Sequence, residues 1–219
     1  MKYCILEHYI VIEVKGQQAS KFLQGQLTNN VLQNNQTLFC NIKGRIIAML
    51  EVIYQNDNIF LIMNRTCWPK TLTLLEKTAQ LSRVEFLERS DLPVYGLLEQ
   101  DNTSISLLYQ GEKIDFKTWH HARLLHKKFE LYEETIGLFL PHDLGLEKDN
   151  WIDFKKGCYR GQEIIARMHY LGKSKYHLGL LANQHTHELQ PGMPLFDNNN
   201  KIGEVVDFND KVILACLRQ

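Results

Sequence analysis

The sequence predicts an α+β fold, because strands rich in β-branched residues alternate with short amphipathic helices through most of the chain. After Gly172 the pattern changes, and short strands follow one another between turns such as Pro191-Gly192 and Asn198-Asn199-Asn200. This spacing favours a small antiparallel β-barrel or sandwich at the C-terminus. With 219 residues and 44% hydrophobic content, the chain is long enough to bury a substantial core.

Residues 1–90 predict an N-terminal α+β subdomain. Pro69 suits the first turn of a helix at residues 70–81, because proline lacks only an amide proton that would be unpaired there. An amphipathic stretch predicts an earlier helix at residues 19–27. Apolar runs predict the strands of this subdomain at residues 9–14, 37–42, 45–54, 59–63 and 84–87.

Two further subdomains are expected, a second α/β unit at residues 91–172 and the C-terminal barrel at residues 173–219. The second unit has predicted strands at residues 94–98 and 104–109 and predicted helices at residues 120–127 and 131–139. The barrel would consist of strands at residues 176–181, 194–196, 202–208 and 212–217.

The overall charge gives no reason to expect sequence-independent binding of nucleic acid or membranes, since 25 basic residues balance 25 acidic ones. The N-terminus lacks a signal-peptide pattern, and no apolar window approaches the roughly 18 residues of a membrane span. A cytoplasmic, soluble protein is therefore expected. The five cysteines are odd in number and widely spread, which favours reduced thiols over a metal site. His185 and His187 fit a polar loop better than a metal site.

The segment at residues 151–170 concentrates what a reactive site needs. Cys158 lies among Lys155, Lys156 and Arg160, and nearby positive charge favours thiolate over thiol. Apolar residues after it predict a helix that runs to about Tyr170, so the thiol would lie just ahead of the N-terminus of that helix.

Gly157 and Gly161 flank the thiol and allow a sharply shaped loop. Gln162 and Glu163 add an amide and a carboxylate, a combination able to recognise a flat heterocycle such as a pterin. An ordinary loop-to-helix junction with an inert cysteine would show the same residues. Dinucleotide, Walker, serine-protease and zinc-protease signatures are absent from the sequence.

Residues 156–163, Lys-Gly-Cys-Tyr-Arg-Gly-Gln-Glu, resemble the Lys-Gly-Cys-Tyr-x-Gly-Gln-Glu signature of the YgfZ family of folate-dependent proteins. Residues 22–29, Phe-Leu-Gln-Gly-Gln-Leu-Thr-Asn, and residues 41–46, Asn-Ile-Lys-Gly-Arg-Ile, resemble two further segments of that family, in the expected order. The likeness therefore extends through most of the chain. Asn29 stands where the family commonly has aspartate.

The resemblance implies the fold of the glycine cleavage aminomethyltransferase, with ferredoxin-like α/β subdomains around a channel that holds tetrahydrofolate. It also implies a role with iron–sulfur client or scaffold proteins, some of which modify tRNA. From the balanced charge, no direct contact with nucleic acid or membrane is expected. Cys158 would be the reactive thiol, with Lys156 and Arg160 as its electrostatic support. The folate-binding candidates are Glu163, Gln162, Gly157, Tyr159, Gly161, Asn29 and Arg167.

Two alternatives to this accessory role stay open. One is aminomethyl transfer, but aminomethyltransferases carry an acidic residue shortly after the turn that matches Lys43-Gly44, and this chain has no carboxylate there before Glu51. The other is a module that docks iron–sulfur proteins without chemistry at the thiol. Replacing Cys158 distinguishes the docking module from the accessory role.

Overall fold

The computed structural model describes residues 1–55, 58–100, 102–184 and 188–219. Over these ranges the helices are α1 (Ala19–Gln24), α2 (Trp68–Leu81), α3 (Phe116–Leu125) and α4 (Gln162–Leu171). Short 3-10 turns occur at Arg65–Cys67, Glu133–Thr135 and Pro141–Leu144. The strands are β1 (Lys2–Ile5), β2 (Tyr9–Lys15), β3 (Gln36–Cys40), β4 (Ile46–Gln55), β5 (Asn58–Asn64), β6 (Glu85–Glu88), β7 (Tyr95–Glu99), β8 (Asn102–Ser106), β9 (Glu112–Lys113), β10 (Tyr176–Ala182), β11 (Pro194–Asp197), β12 (Asn200–Phe208) and β13 (Val212–Arg218).

An antiparallel five-stranded sheet forms the centre of the N-terminal part, in the order β3-β4-β5-β2-β6. Ile10 and Ile12 of β2 belong to the main core, whereas Val11 between them belongs to a second core. Side chains of a strand alternate between its two faces, so this sheet is covered on both faces. Burial on both faces explains why β2 and β5 read as nearly continuous apolar runs.

A second sheet has the order β8-β7-β1-β9, in which β1 is antiparallel to β7 and parallel to β9. The sequence did not predict β1, although residues 2–5 pair directly with residues 95–98. The N-terminus therefore pairs with a strand that follows residue 90. The boundaries at residues 90 and 172 stay a prediction.

The C-terminal strands form an antiparallel four-stranded sheet in the order β10-β13-β12-β11. Within the described residues, edge strands β10 and β11 are not paired with each other, so the sheet is open and the expected closed barrel is not seen. One side of the sheet contributes Leu178, Val206 and Leu214 to the main core. That packing replaces the burial that barrel closure would have provided.

The predicted helix at residues 131–139 is wrong. Only the 3-10 turn Glu133–Thr135 is helical there, and Gly137 has a left-handed φ of 79°. The backbone instead pairs with the start of β4, since the Gly137 amide donates to the carbonyl of Ile46 and the Ile46 amide donates to the carbonyl of Phe139. This non-local pairing outweighs local helix propensity. The helices predicted within the first 90 residues and the helix after the motif are confirmed as α1, α2 and α4.

Asp207, on β12, carries a carboxylate that joins the C-terminal sheet to the rest of the chain. The residue is fully buried, with 0% of its surface exposed. Its oxygens lie 3.0 and 3.1 Å from Nε2 of His120 on α3. They also accept hydrogen bonds from the Tyr132 hydroxyl at 2.7 Å and from the amides of Glu130 at 2.8 Å and Phe208 at 2.7 Å. A buried charge is tolerated when it is hydrogen-bonded in this way.

Replacing Asp207 with alanine is expected to lower the free energy of unfolding by about 3–5 kcal/mol, because several buried donors lose their shared acceptor. Urea denaturation of the purified protein measures this loss. Asp210→Ala, at an exposed turn three residues further on, should change stability by no more than about 0.5 kcal/mol. Similar small losses in both variants would contradict this role of Asp207.

Candidate functional site

Cys158 is exposed on the loop that leads into α4, whereas the other four cysteines, all within the described residues, are buried. Burial raises the pKa of Cys4 to about 11 and the pKa values of Cys67 and Cys216 to about 12. It raises the pKa of Cys40 as well. The thiol in the predicted motif is therefore the one that reagents and partners in solvent can reach.

Lys156 holds this loop to the segment that follows α1. Its Nζ donates hydrogen bonds to the backbone carbonyls of Gln24 at 2.8 Å, Leu27 at 2.6 Å and Asn29 at 2.8 Å. An ammonium group has three protons, so these carbonyls use all of its donors. Burial lowers the pKa of Lys156 to about 8, and the nearby Asp153 opposes that shift. The role of Lys156 in supporting the thiol stays a prediction; in the structure this residue positions the loop.

Arg160 makes a second connection from the same loop. Its Nε donates to the side-chain oxygen of Gln26 at 3.1 Å, and its Nη2 donates to the carbonyl of Leu74 on α2 at 3.2 Å. The guanidinium carbon also lies 5.7 Å from the centre of the Phe39 ring. Arg160 therefore joins the motif loop to α2 and to the segment after α1.

Gly161, the N-cap of α4, packs directly on the turn at residues 41–44. Its φ is 80°, and a Cβ at this position would lie 2.5 Å from the carbonyl oxygen of Asn41 and 3.2 Å from Cα of Gly44. Gly44 also has a left-handed φ, 71°, and a Cβ there would lie 3.2 Å from the side chain of Ile164. Both positions require glycine, for conformation and for space.

Through these contacts the three segments that resemble the YgfZ family come together. Residues 156–163 touch residues 24–29 through Lys156 and Arg160, and they touch the turn at residues 41–44 through Gly161. Two segments far away in the sequence thus hold in place the loop that exposes Cys158.

The other predicted site residues lie around this loop in different environments. Glu163 and Arg167 are exposed on α4, and no ion pair joins them within the described ranges. Gln162 is half-buried and Gly157 is exposed, with nothing near the position of its missing Cβ. Tyr159 is buried, its hydroxyl has no partner among the described residues, and burial raises its pKa.

A cavity of about 390 Å³ is lined by residues of strands β3, β4 and β5 of the five-stranded sheet, by α3 and by the loop at residues 146–151. Polar groups from several strands and loops face it, among them Glu51, Gln36, Asn64, Arg123, Lys128 and Glu130. The volume is within the range of about 300–1,000 Å³ typical of small-molecule sites. No residue of the motif at 155–163 is among its lining residues in the described structure.

Glu51 is a buried carboxylate of this cavity, at 7% exposure, and Glu130 is a second one, at 2%. Gln36 donates from Nε2 to one of the Glu51 oxygens at 2.9 Å, across the paired strands β3 and β4. Burial raises the pKa of Glu51 to about 7, partly offset by that hydrogen bond. The sequence analysis did not select Glu51 as a site residue; the signal it offered was one carboxylate within the apolar run of β4.

Asn29 connects the cavity to the motif loop. The residue is buried, with 2% of its surface exposed. Its side-chain Nδ2 donates hydrogen bonds to the backbone carbonyls of Gln36 and Asn150, and its Oδ1 accepts hydrogen bonds from Asn30 and Asn34. Its own carbonyl accepts from Lys156. Gln36 and Asn150 line the cavity. Because both amide protons and two acceptor positions of Asn29 are used, a folate contact from this side chain would have to displace one of these bonds.

The described ranges contain no cluster of three or more His, Cys, Asp or Glu side chains suited to a metal ion. His185 and His187 lie outside the described residues. None of the described helices has the length and apolar character that a membrane span requires.

An uncharacterized protein of Haemophilus influenzae is 30% identical to this chain, in an alignment that covers 93% of this chain and 83% of that protein. The tRNA-modifying protein YgfZ of Cronobacter sakazakii is 26% identical, over 96% of this chain and 82% of its own length. YgfZ of Buchnera aphidicola is 25% identical, over 83% and 73%. The chain belongs to the YgfZ family. No protein-family model matches it.

Among solved structures, aminomethyltransferase T of the glycine cleavage system from Bartonella henselae is similar to this member of the YgfZ family. The TM-score is 0.75, and the match covers 99% of this chain and 78% of that chain at 16% identity. This likeness shows the fold, and activity does not follow from fold alone.

The cavity residues fit tetrahydrofolate, the ligand that the YgfZ resemblance implies. A pterin presents a ring N–H beside an amino group, and the buried Glu51 carboxylate with the neighbouring Gln36 amide offers a complementary pair. Lys128 provides positive charge in the lining for a carboxylate of the ligand, whereas the Arg123 guanidinium is paired with Glu130 at 3.3 Å. Glu51 and Gln36 would hold the pterin.

Alkylation of the native protein is expected to modify Cys158 faster than the other four thiols by at least about tenfold, because they are buried and burial raises their pKa values. Peptide mass spectrometry after brief treatment with iodoacetamide measures the relative rates. The unfolded protein is the control, in which all five should react at similar rates. Faster labelling of Cys40 or Cys67 in the native state would contradict the structure.

Glu51 is expected to make stability depend on pH. Its folded pKa, about 7, lies above the unfolded value, so its contribution is fully present below about pH 4.5 and is lost as pH rises through 7. Relative to Glu51→Gln, the wild type should lose up to about 3 kcal/mol between pH 5 and pH 8. Denaturation of both proteins across this range measures the difference; a constant difference would contradict it.

Proposed function

We propose that this protein is a tetrahydrofolate-binding accessory factor for the synthesis or repair of iron–sulfur enzymes, including enzymes that modify tRNA, and that it depends on Cys158. The observation that carries this proposal is the exposed thiol on a loop that three separate segments hold in place. The relatives named as tRNA-modifying proteins support the link to tRNA modification.

Folate would bind in the cavity bordered by Glu51, Gln36 and Lys128. When bound, tetrahydrofolate supplies the ring and anilino nitrogens that carry one-carbon units. Within the chain, Glu51 and Gln36 would orient the pterin, and the surrounding protein would exclude water from it. Asn29 would keep the cavity wall and the motif loop in a fixed relation, since it bonds to both.

The thiol would act at the protein surface. Lys156 and Arg160 are proposed as positioning residues, since their donors bond to protein carbonyls and an amide and fix the backbone on either side of Cys158. Iron–sulfur client or scaffold proteins would meet the exposed loop, where a thiolate is both a nucleophile and a ligand for iron. Glu163 and Arg167, exposed on α4, would lie beside such a partner.

Aminomethyl transfer is the second candidate, favoured by the shared fold and by Glu51 in the cavity. Against it, Ala48 and Met49 of β4 follow the glycine turn where aminomethyltransferases carry their acidic residue. Release of ammonia from an aminomethyl-loaded lipoyl carrier and tetrahydrofolate would decide in its favour. Background release only would support the accessory role.

Cys158→Ser is expected to abolish complementation of a deletion strain, measured by iron–sulfur enzyme activities and modified tRNA nucleosides. Serine matches the thiol in size but is a far weaker nucleophile and metal ligand. Folate binding, followed as a rise in melting temperature, should remain, because Cys158 does not line the cavity.

Cys40→Ala is the matched control. Cys40 is fully buried, so this change should cost about 1–2 kcal/mol of stability and leave activity per folded molecule unchanged. If Cys158→Ser complements the deletion strain fully at native expression, the hypothesis of chemistry at the thiol is wrong and the protein is a docking module for iron–sulfur proteins. If tetrahydrofolate does not raise the melting temperature of the wild type, the folate-binding part of the proposal is wrong.

A further inference from the structure

Three rings lie together where the motif loop meets the end of α4. The half-buried Phe154 ring stacks on the His169 ring, with centroids 3.7 Å apart and an interplanar angle of 14°. The Tyr170 ring is nearly perpendicular to the His169 ring, at 4.7 Å and 79°. His169 is exposed, and Tyr170 is 67% exposed. The cluster therefore presents ring surface to solvent from a helix that fixes its position.

Positive charge is concentrated around these rings, although the charge of the whole chain is balanced. Residues 151–177 contain six Lys or Arg residues and two Asp or Glu residues, in a chain with 25 of each kind. Arg167 precedes Tyr170 by three residues, which places the two on one face of α4. Within the described ranges, the exposed Lys155, Arg167 and Lys173 form no ion pair. Their charge is available to an anionic partner.

An open cleft of about 580 Å³ between the end of α4 and β10 continues this surface. His169 and Lys173 line the cleft, and so do the exposed rings of Tyr176 and His177 on β10. Burial raises the pKa of Glu147 in the same lining, which favours its neutral form and weakens its repulsion of an anion. Rings and cations thus alternate from the motif loop into the cleft.

Another ring cluster on the protein lacks this charge. The centroid of the Tyr109 ring lies 4.3 Å from that of Tyr3 and 4.5 Å from that of Tyr95, and Tyr109 is 53% exposed. Residues 99–113 contain three Asp or Glu residues and one lysine. The two clusters offer similar rings, but only the one at α4 lies among cations that no carboxylate neutralises.

Exposed rings beside unpaired cations are the chemistry that holds single-stranded nucleic acids. Bases stack on the rings while Lys and Arg contact the phosphates. An acidic peptide would use the cations but not the rings, and a double helix keeps the faces of its bases within its own stack. The proposed link to enzymes that modify tRNA selects RNA over DNA, and this choice alone rests on the proposed function.

We propose that the surface formed by these rings and cations binds single-stranded RNA. Tyr170 stacks on a base, and Arg167 and Lys173 contact phosphates on either side of it. Lys155 extends the positive charge onto the loop that also exposes Cys158. RNA on this surface would lie beside the part of the protein that is proposed to meet iron–sulfur partners.

Fluorescence anisotropy with a labelled single-stranded RNA of about 12 nucleotides tests the proposal on the full chain, at low salt and without folate. The wild type should bind saturably. Tyr170→Ala should weaken binding about tenfold, because one stacked base is lost. Tyr109→Ala is the matched control, an exposed tyrosine from the cluster that lacks cations, and its Kd should stay within about twofold. A melting curve for each variant checks that it is folded.

Lys173→Ala tests the contact with phosphate. The Kd should rise about threefold at low salt, and the slope of log Kd against log salt should fall by about 0.7, the value for one phosphate contact on a single strand. Lys113→Ala, at an exposed lysine of β9, should leave both quantities unchanged.

Four results would overturn the proposal. These are no saturable binding by the wild type, equal Kd values for Tyr170→Ala and Tyr109→Ala, equal binding of duplex RNA, and tighter binding of single-stranded DNA of the same sequence. Polyglutamate should compete at least about tenfold less well than unlabelled RNA, because it cannot stack; equal competition would assign the surface to an acidic protein. Since no folate is present, a failure of RNA binding is distinct from a failure of the folate-induced rise in melting temperature.

Discussion

The arrangement of the cavity depends on one buried carboxylate, that of Asp207. This side chain accepts a hydrogen bond from the backbone amide of Glu130. The Glu130 carboxylate in turn accepts a hydrogen bond from the Tyr9 hydroxyl at 2.7 Å and lies 3.3 Å from Nε of Arg123. Tyr9, Arg123 and Glu130 all line the cavity that contains Glu51. A residue of the C-terminal sheet therefore fixes a charged wall made from β2, α3 and the chain after α3. Full burial makes these polar contacts strong, and it also makes them costly to leave incomplete.

Local sequence patterns were enough to predict the strands and helices whose side chains are packed inside the protein. The apolar runs of β2 and β5 and the proline at the start of α2 all corresponded to observed elements. The errors occurred where distant backbone pairing decides the structure. Strand β1 is short and its partner is β7, and residues 131–139 bond to Ile46 instead of forming a helix. The positions of the C-terminal strands were predicted correctly, but the strand pattern of a sequence does not show whether the sheet closes into a barrel.

For the candidate site, the sequence selected the exposed loop that carries Cys158 but not the cavity. Spacing and charge select Cys158 and its flanking glycines, yet sequence proximity does not show where a long side chain points. Lys156 reaches three carbonyls near α1, far along the chain from its own position. The cavity combines residues from β3, β4, α3 and later loops, so no spacing in the sequence marks it. Glu51 and Lys128 could be recognised only after folding brings them together.

The separation of Cys158 from the cavity has a practical consequence. A fluorophore or spin label attached to the exposed sulfur would extend into solvent without narrowing the cavity that contains Glu51, since the motif loop does not line it. The hydrogen bonds of Asn29 to Asn150 and Lys156 would relay movements of the cavity wall to that label. The native thiol is thus a ready attachment point for following ligand occupancy by spectroscopy, with no cysteine introduced by mutation.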